Sequence, residues 1–175
     1  MQTLIVVSLV GADQHAIVFE ISKLTDECGC QIQDSRMAVL GSEFAAQMLI
    51  AGNWSSIAKL ETGLPRLART LGLELTVRRT EMRTDTDRIV PYGVEVLSLA
   101  REGVVRDVSE FFSRREINIE DIFTSCYAAP HTQAPMYSLH MTVGVPAETP
   151  IATLRNEFLE LCDELNLDAV MTAFK

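Results

Sequence analysis

Positive charge is scarce in this chain of 175 residues: 15 Lys and Arg stand against 24 Asp and Glu, a formal net charge of −9. Phosphate binding needs a cationic face, so no direct contact with nucleic acid is expected. The four cysteines, Cys28, Cys30, Cys126 and Cys162, form no Cys-x-x-Cys pair and no Cys/His zinc spacing. His131 and His140 follow Cys126 at spacings of 5 and 9, which match no common metal site. Cys28 and Cys162 fall in helical stripes, where a reduced thiol acts as a small hydrophobe. No apolar run approaches the roughly 18 residues of a membrane-spanning helix. The apolar opening Leu4–Val10 has no basic stretch before it and no cleavage site after it. It reads as a buried strand, with no membrane partner and a cytoplasmic location expected. Gly-x-Ser-x-Gly, the P-loop, Gly-x-Gly-x-x-Gly and His-Glu-x-x-His are all missing. No catalysis, no cofactor and no metal are therefore expected. With 47% hydrophobic and 22% charged residues, the composition is that of a folded chain.

What the chain does have is a repeat. A shift of 87 residues lays Val18, Ser22, Ile32 and Asp34 on Val105, Ser109, Ile119 and Asp121. A shift of 94 lays Ile57, Leu60, Leu64, Leu67 and Leu71 on Ile151, Leu154, Phe158, Leu161 and Leu165. The slip of seven is expected in one loop region before each unit's second helix. A repeated supersecondary plan means two similar small domains. Their charges differ: residues 1–84 hold 8 Lys and Arg against 9 Asp and Glu, whereas residues 85–175 hold 7 against 15. The acidic second unit either meets a basic partner or simply gains solubility.

Periodicity gives the elements. Leu4–Val10 is a strand, Gly11-Ala12-Asp13 a turn, and Ile17, Ile21, Leu24 and Cys28 one helical face. Asp13 is placed to cap that helix, and Gly29 to end it. Ile32–Leu40 and Phe44–Ala51 form a hairpin around Gly41-Ser42-Glu43. The next helix carries Ile57 to Leu71, with a kink or restart expected at Pro65, and Leu73–Arg79 closes the unit. The second unit repeats the order: strand Val94–Leu99, helix on Val104, Val108 and Phe111, strands Asn118–Ser125 and Met136–Val143, helix on Ile151 to Leu165, strand Leu167–Phe174. Its hairpin loop, Ala128–Pro135, is longer than its counterpart. The fold class is α+β: two ferredoxin-like βαββαβ domains, each a four-stranded antiparallel sheet with two helices on one face. Boundaries are expected at 1–81, a linker at 82–91, and 92–175. Arg78, Arg79, Arg83 and Arg88 are read as a solvated basic stretch at that linker, and Trp54 as a helix-start residue packed on the core.

The segment Val7-Ser8-Leu9-Val10-Gly11-Ala12-Asp13-Gln14-His15-Ala16-Ile17-Val18 resembles the opening of an ACT domain: a strand, then Asp-Arg-Pro-Gly-like residues, then an apolar helix start. Ile117-Asn118-Ile119 and Cys30-Gln31-Ile32 resemble its second-strand entry, and Asn53-Trp54-Ser55-Ser56-Ile57-Ala58-Lys59-Leu60 its second helix. The resemblance covers about 3–81 and 92–174. A free-standing tandem pair of this length resembles a regulator family. That implies a small amino-acid ligand such as glycine. It also implies contact with a DNA-binding activator of LysR type, rather than with DNA.

The ligand would meet the loop after each unit's first strand, where amides at a helix N-terminus suit a carboxylate. In the first unit this loop is Asp13, Gln14, His15 and Ala16, with Gln31 at the second strand; Asp13 is either a cap or a partner for the ligand's ammonium. In the second it is Arg101, Glu102, Gly103 and Val104, with Asn118 expected nearby. The first copy keeps the acid but has Ala16 in place of the family's Gly. The second keeps Gly103 but has Ala100 in place of the acid. Two alternatives stay open: an adaptor whose ligand loops have decayed, or an acylphosphatase-like enzyme with Arg101 in a phosphate loop, for which the partner Asn is missing. A homo-oligomer is compatible with open sheet edges.

Overall fold

The computed structural model describes residues 2–82 and 88–173. The chain divides into two compact units, residues 1–84 and 85–175. The first contains β1 (Thr3–Ala12), α1 (Ile17–Glu27), β2 (Gln31–Leu40), β3 (Glu43–Gly52), α2 (Trp54–Thr70) and β4 (Glu74–Thr80). The second contains β5 (Ile89–Leu99), α3 (Val104–Ser113), β6 (Asn118–Ala128), β7 (Pro135–Pro146), α4 (Ile151–Glu164) and β8 (Asp168–Ala173). The sheets run β2-β3-β1-β4 and β6-β7-β5-β8, antiparallel throughout. The fold is thus α+β with ferredoxin-like order in both units.

Alternation fixes which sheet face is covered. Ile5, Val7 and Leu9 on β1 and Phe44, Ala46, Met48 and Ile50 on β3 point one way, and the buried stripes of α1 and α2 close over them. Val94 and Val96 with Leu139, Met141, Val143 and Val145 do the same beneath α3 and α4. Phe111, Phe112 and Phe158 meet at centroid distances of 5.2–5.3 Å in that second core. Each fully buried large side chain contributes about 1.5–3 kcal/mol.

Several expectations change. Gly11 and Ala12 do not turn; they extend β1 and pair with Phe44 and Glu43. A Cβ on Gly11 would lie 2.9 Å from the Gly72 carbonyl oxygen, which explains the glycine. Pro65 sits inside one continuous α2, so the helix does not restart there. Pairing of Ile89 with Pro146 starts the fifth strand within the expected linker. Residues 83–87 of that linker, Arg83 among them, lie outside the described residues, as does Phe174. Trp54 is 67% exposed and does not pack on the core. The seven-residue slip is divided. Leu40 faces Glu43 where Tyr127 faces Met136. Six extra residues therefore lie in the β6–β7 turn, and one between β7 and α4.

The two copies agree in fine detail. Cys30 N–H donates to Thr25 at 3.0 Å, as Ile117 does to Phe112 at 3.1 Å. Both second strands break register after two residue pairs, between Ile32 and Asp34 and between Ile119 and Asp121. Such matched bulges mark one backbone design used twice.

Candidate functional site

The loop between β1 and α1 holds Asp13, Gln14, His15 and Ala16, all exposed. Asp13 is not the helix cap. Its backbone N–H donates to Ser42 at 2.9 Å, and α1 begins four residues on with Ala16 at the cap. Ala16 has φ 72°, the left-handed region, and no side chain caps the helix. For a residue with a Cβ that conformation costs about 1–2 kcal/mol. Gln14 Nε2 donates to the Leu71 carbonyl at 2.5 Å, tying the loop to the end of α2. This closes the loop on its own unit and engages the amide expected to meet a ligand.

The second loop keeps the same frame. Ala100 N–H donates to Pro135 at 2.8 Å, in the place of the Asp13–Ser42 bond. Gly103 caps α3 at φ 87°, where glycine carries no Cβ penalty, and again no side chain caps the helix. Val104 is 2% exposed and belongs to the core, so only its backbone is placed to meet a ligand. Glu102 is exposed. Arg101 donates through Nη1 and Nη2 to Asp107 Oδ2, at 3.3 Å each, and through Nη1 to the Glu102 carbonyl at 3.1 Å. Arg106 grips the other oxygen of Asp107, at 3.0 and 2.8 Å.

Asp107 is the residue that the sequence reading missed. Its side chain is 14% exposed between two guanidiniums. The Arg106 hydrogen bond, with Arg101 adding to it, holds its carboxyl below the usual range, while desolvation opposes the shift. The same pairing raises Arg106. The signal was present as an acid in the first helical turn with Arg101 and Arg106 close in sequence. Two guanidiniums converge on one carboxylate beside a helix N-terminus and a glycine backbone. The arrangement suits a small anion such as an amino-acid carboxylate, which would share Arg101 with Asp107. In the first unit Gln14 and Phe19 stand where Arg101 and Arg106 stand, so its loop has the acids without the cations.

Gln31 and Asn118 are exposed first residues of β2 and β6, but neither is nearby. Asn118 pairs with Gly144, which faces Pro91 near the start of β5, while the loop follows Leu99 at its end. Eight residues of strand separate them, about 27 Å. Gln31 is displaced from the Asp13 loop in the same way, through Ala51 and Leu4. Asn118 instead lines a groove of about 670 Å³ between α3 and β6, with Arg106, Ser109, Glu110, Ser113 and Glu116. A second feature escaped the sequence reading. Ser98, one residue before the end of β5, is buried, and its hydroxyl has no hydrogen-bond partner among the described residues. No cluster of three His, Cys, Asp or Glu suited to a metal occurs among the described residues, and none of their helices is long and apolar enough to cross a membrane.

Residues 3–78 match the ACT domain family. The chain is 30% identical over 165 residues to the glycine cleavage system transcriptional repressor of Escherichia coli strain K12, covering 94% of this chain and 87% of that one. The protein of the same name from Shigella flexneri matches equally. A crystal structure provisionally named a glycine cleavage system transcriptional repressor superposes with a TM-score of 0.71 at 27% identity, across 100% of this chain and 99% of the other. An unknown protein from Galdieria sulphuraria has the same fold, with a TM-score of 0.79 at 23% identity over the full length of both chains.

Proposed function

The chain belongs to the family of the glycine cleavage system transcriptional repressor, built on ACT-type units, and from that premise we propose a non-catalytic, amino-acid-responsive negative regulator of glycine cleavage genes. The observation that carries this reading is the reach of the match, which runs through both units. The regulator works in the cytoplasm and acts by touching a DNA-binding activator of LysR type. Its ligand is a small amino acid such as glycine, whose carboxylate meets Gly103, the first amides of α3 and Arg101. Binding shifts the grip on the activator by favouring one of two states of the loop.

One observation favours a second reading, an adaptor without a ligand. Gln14 closes on Leu71, and Asp107 engages Arg101, so both loops satisfy themselves. An acylphosphatase-like reaction has less support, because that ion pair already holds Arg101.

The test is a gel-shift experiment with the full chain, a glycine cleavage promoter fragment and its LysR-type activator. The chain alone is expected to leave the fragment unshifted and to alter the mobility of the activator–DNA complex. A shift of bare DNA, or an unaltered activator complex, contradicts the proposal.

A further inference from the structure

The sheets end in β2 and β4 in the first unit and in β6 and β8 in the second. An edge strand leaves one row of backbone N–H and C=O groups unpaired, and proteins commonly guard that row with charge or proline. β2 carries Asp34 and Arg36, and β4 carries Glu74, Arg78 and Arg79. β8 is six residues long and opens on Asp168. β6 is different. Its last stretch, Ile122-Phe123-Thr124-Ser125-Cys126-Tyr127-Ala128, holds no charge and no proline. Every residue of that stretch is exposed, Phe123 at 61% and Tyr127 at 44%. On its other side it pairs with β7 without a break, from Ile122–Met141 to Ala128–Pro135. Ile, Phe, Thr and Tyr favour a paired strand.

The stretch is complementary to itself. Antiparallel pairing about a two-fold axis at Ser125 sets Ser125 opposite the partner's Ser125. It sets Thr124 opposite the partner's Cys126, Phe123 opposite the partner's Tyr127 and Ile122 opposite the partner's Ala128. Residues directly opposite share a face and touch. Phe123 and Tyr127 lie on one face, in cross-strand rows with His140 and Glu95 and with Met136 and Leu99. Two aromatic cross-strand pairs result, and no like charges meet within the stretch. The whole chain carries a net charge of −9, so an uncharged run is where a second copy approaches with least local repulsion. In the first unit Arg36 and Leu40 stand in the places of Phe123 and Tyr127, and the aromatic pair is missing.

We infer that β6 is the seam between two copies of this chain, joined strand to strand with Ser125 on the axis. The contact is isologous, so it closes at two copies. Backbone groups on the free side of β6 gain partners, and the two second-unit sheets become one continuous sheet. The association depends on neither an amino-acid ligand nor an activator.

The experiment is sedimentation velocity of the full chain over a range of concentrations, with two double variants. The wild-type chain is expected to pass reversibly from monomer to dimer. Phe123→Lys with Tyr127→Lys places lysine opposite lysine twice, and should weaken the dimer at least about tenfold. Phe123→Lys with Tyr127→Glu removes the same aromatic rings but places opposite charges together, and should dimerise about tenfold more tightly than the double-lysine chain. Net charge alone predicts the reverse order, because the double-lysine chain is the less acidic. A wild-type chain that stays monomeric at every concentration overturns the seam. So does a dimer that both variants leave unchanged, or a lysine–glutamate chain no tighter than the double-lysine one. Amide hydrogen exchange of the wild-type chain gives a second readout that needs no variant. Exchange within residues 122–128 should slow as protein concentration rises, and slowing confined to other segments overturns the seam.

Discussion

At the scale of the residue, one backbone position separates the two loops. Ala16 and Gly103 occupy the same left-handed cap, at φ 72° and 87°. The sequence comparison finds the exchange, but only the structure shows that alanine still adopts the glycine conformation. Ala16→Gly is therefore expected to stabilise the chain by about 1 kcal/mol and Gly103→Ala to destabilise it by a similar amount, read from urea denaturation. Burial pushes the Cys162 thiol from 9.0 up to about 11, with Asp163 adding a smaller upward push. The unfolded thiol ionises first, so ionisation favours the unfolded chain. Stability should fall as pH rises from about 9 towards 11 and be unaffected by this group at neutral pH. Cys162→Ser should flatten that alkaline decline. In the native chain at pH 8, iodoacetamide should label exposed Cys126 well before buried Cys30 and Cys162. Asp107 was illegible in the sequence because its role depends on where two flexible guanidiniums come to rest.

At the scale of the element, helix stripes were legible because burial on one face forces a 3.6-residue period. Ile57, Leu60 and Leu64 are buried as their spacing requires, and so are Leu154 and Phe158. Strand ends were less legible. Gly11, Ala12 and Ile89-Val90-Pro91 carry turn-like or polar-neighbour signals, yet ladder pairing across β3 and β7 holds them extended. Pro65 stays within α2 because the helix packs along its whole stripe, which outweighs the loss of one backbone hydrogen bond. Phe158, fully buried against Phe111 and Phe112, is the keystone of its core. Phe158→Ala should cost about 3–5 kcal/mol. Asn53, whose side chain accepts from Ser56 N–H at 2.8 Å, should cost about 1 kcal/mol as Asn53→Ala. Both losses are read from denaturant midpoints. Reversal of their order would show that the second core is looser than its packing indicates.

At the scale of the whole molecule, the duplication fixed the fold but not the site. Sequence matching placed Gln31 and Asn118 beside the first-strand loops, because motif lists carry no register. Strand direction sets them at the far end of their own sheets. What distinguishes the units is charge: the paired arginines around Asp107 belong to the acidic half. Regulation by a small amino acid is the central claim, and calorimetric titration of the full chain with glycine tests it most directly. The account predicts saturable binding that Arg101→Ala weakens about tenfold and Asp107→Asn strengthens by freeing Arg101. Absence of heat with glycine and with every other proteinogenic amino acid would contradict it.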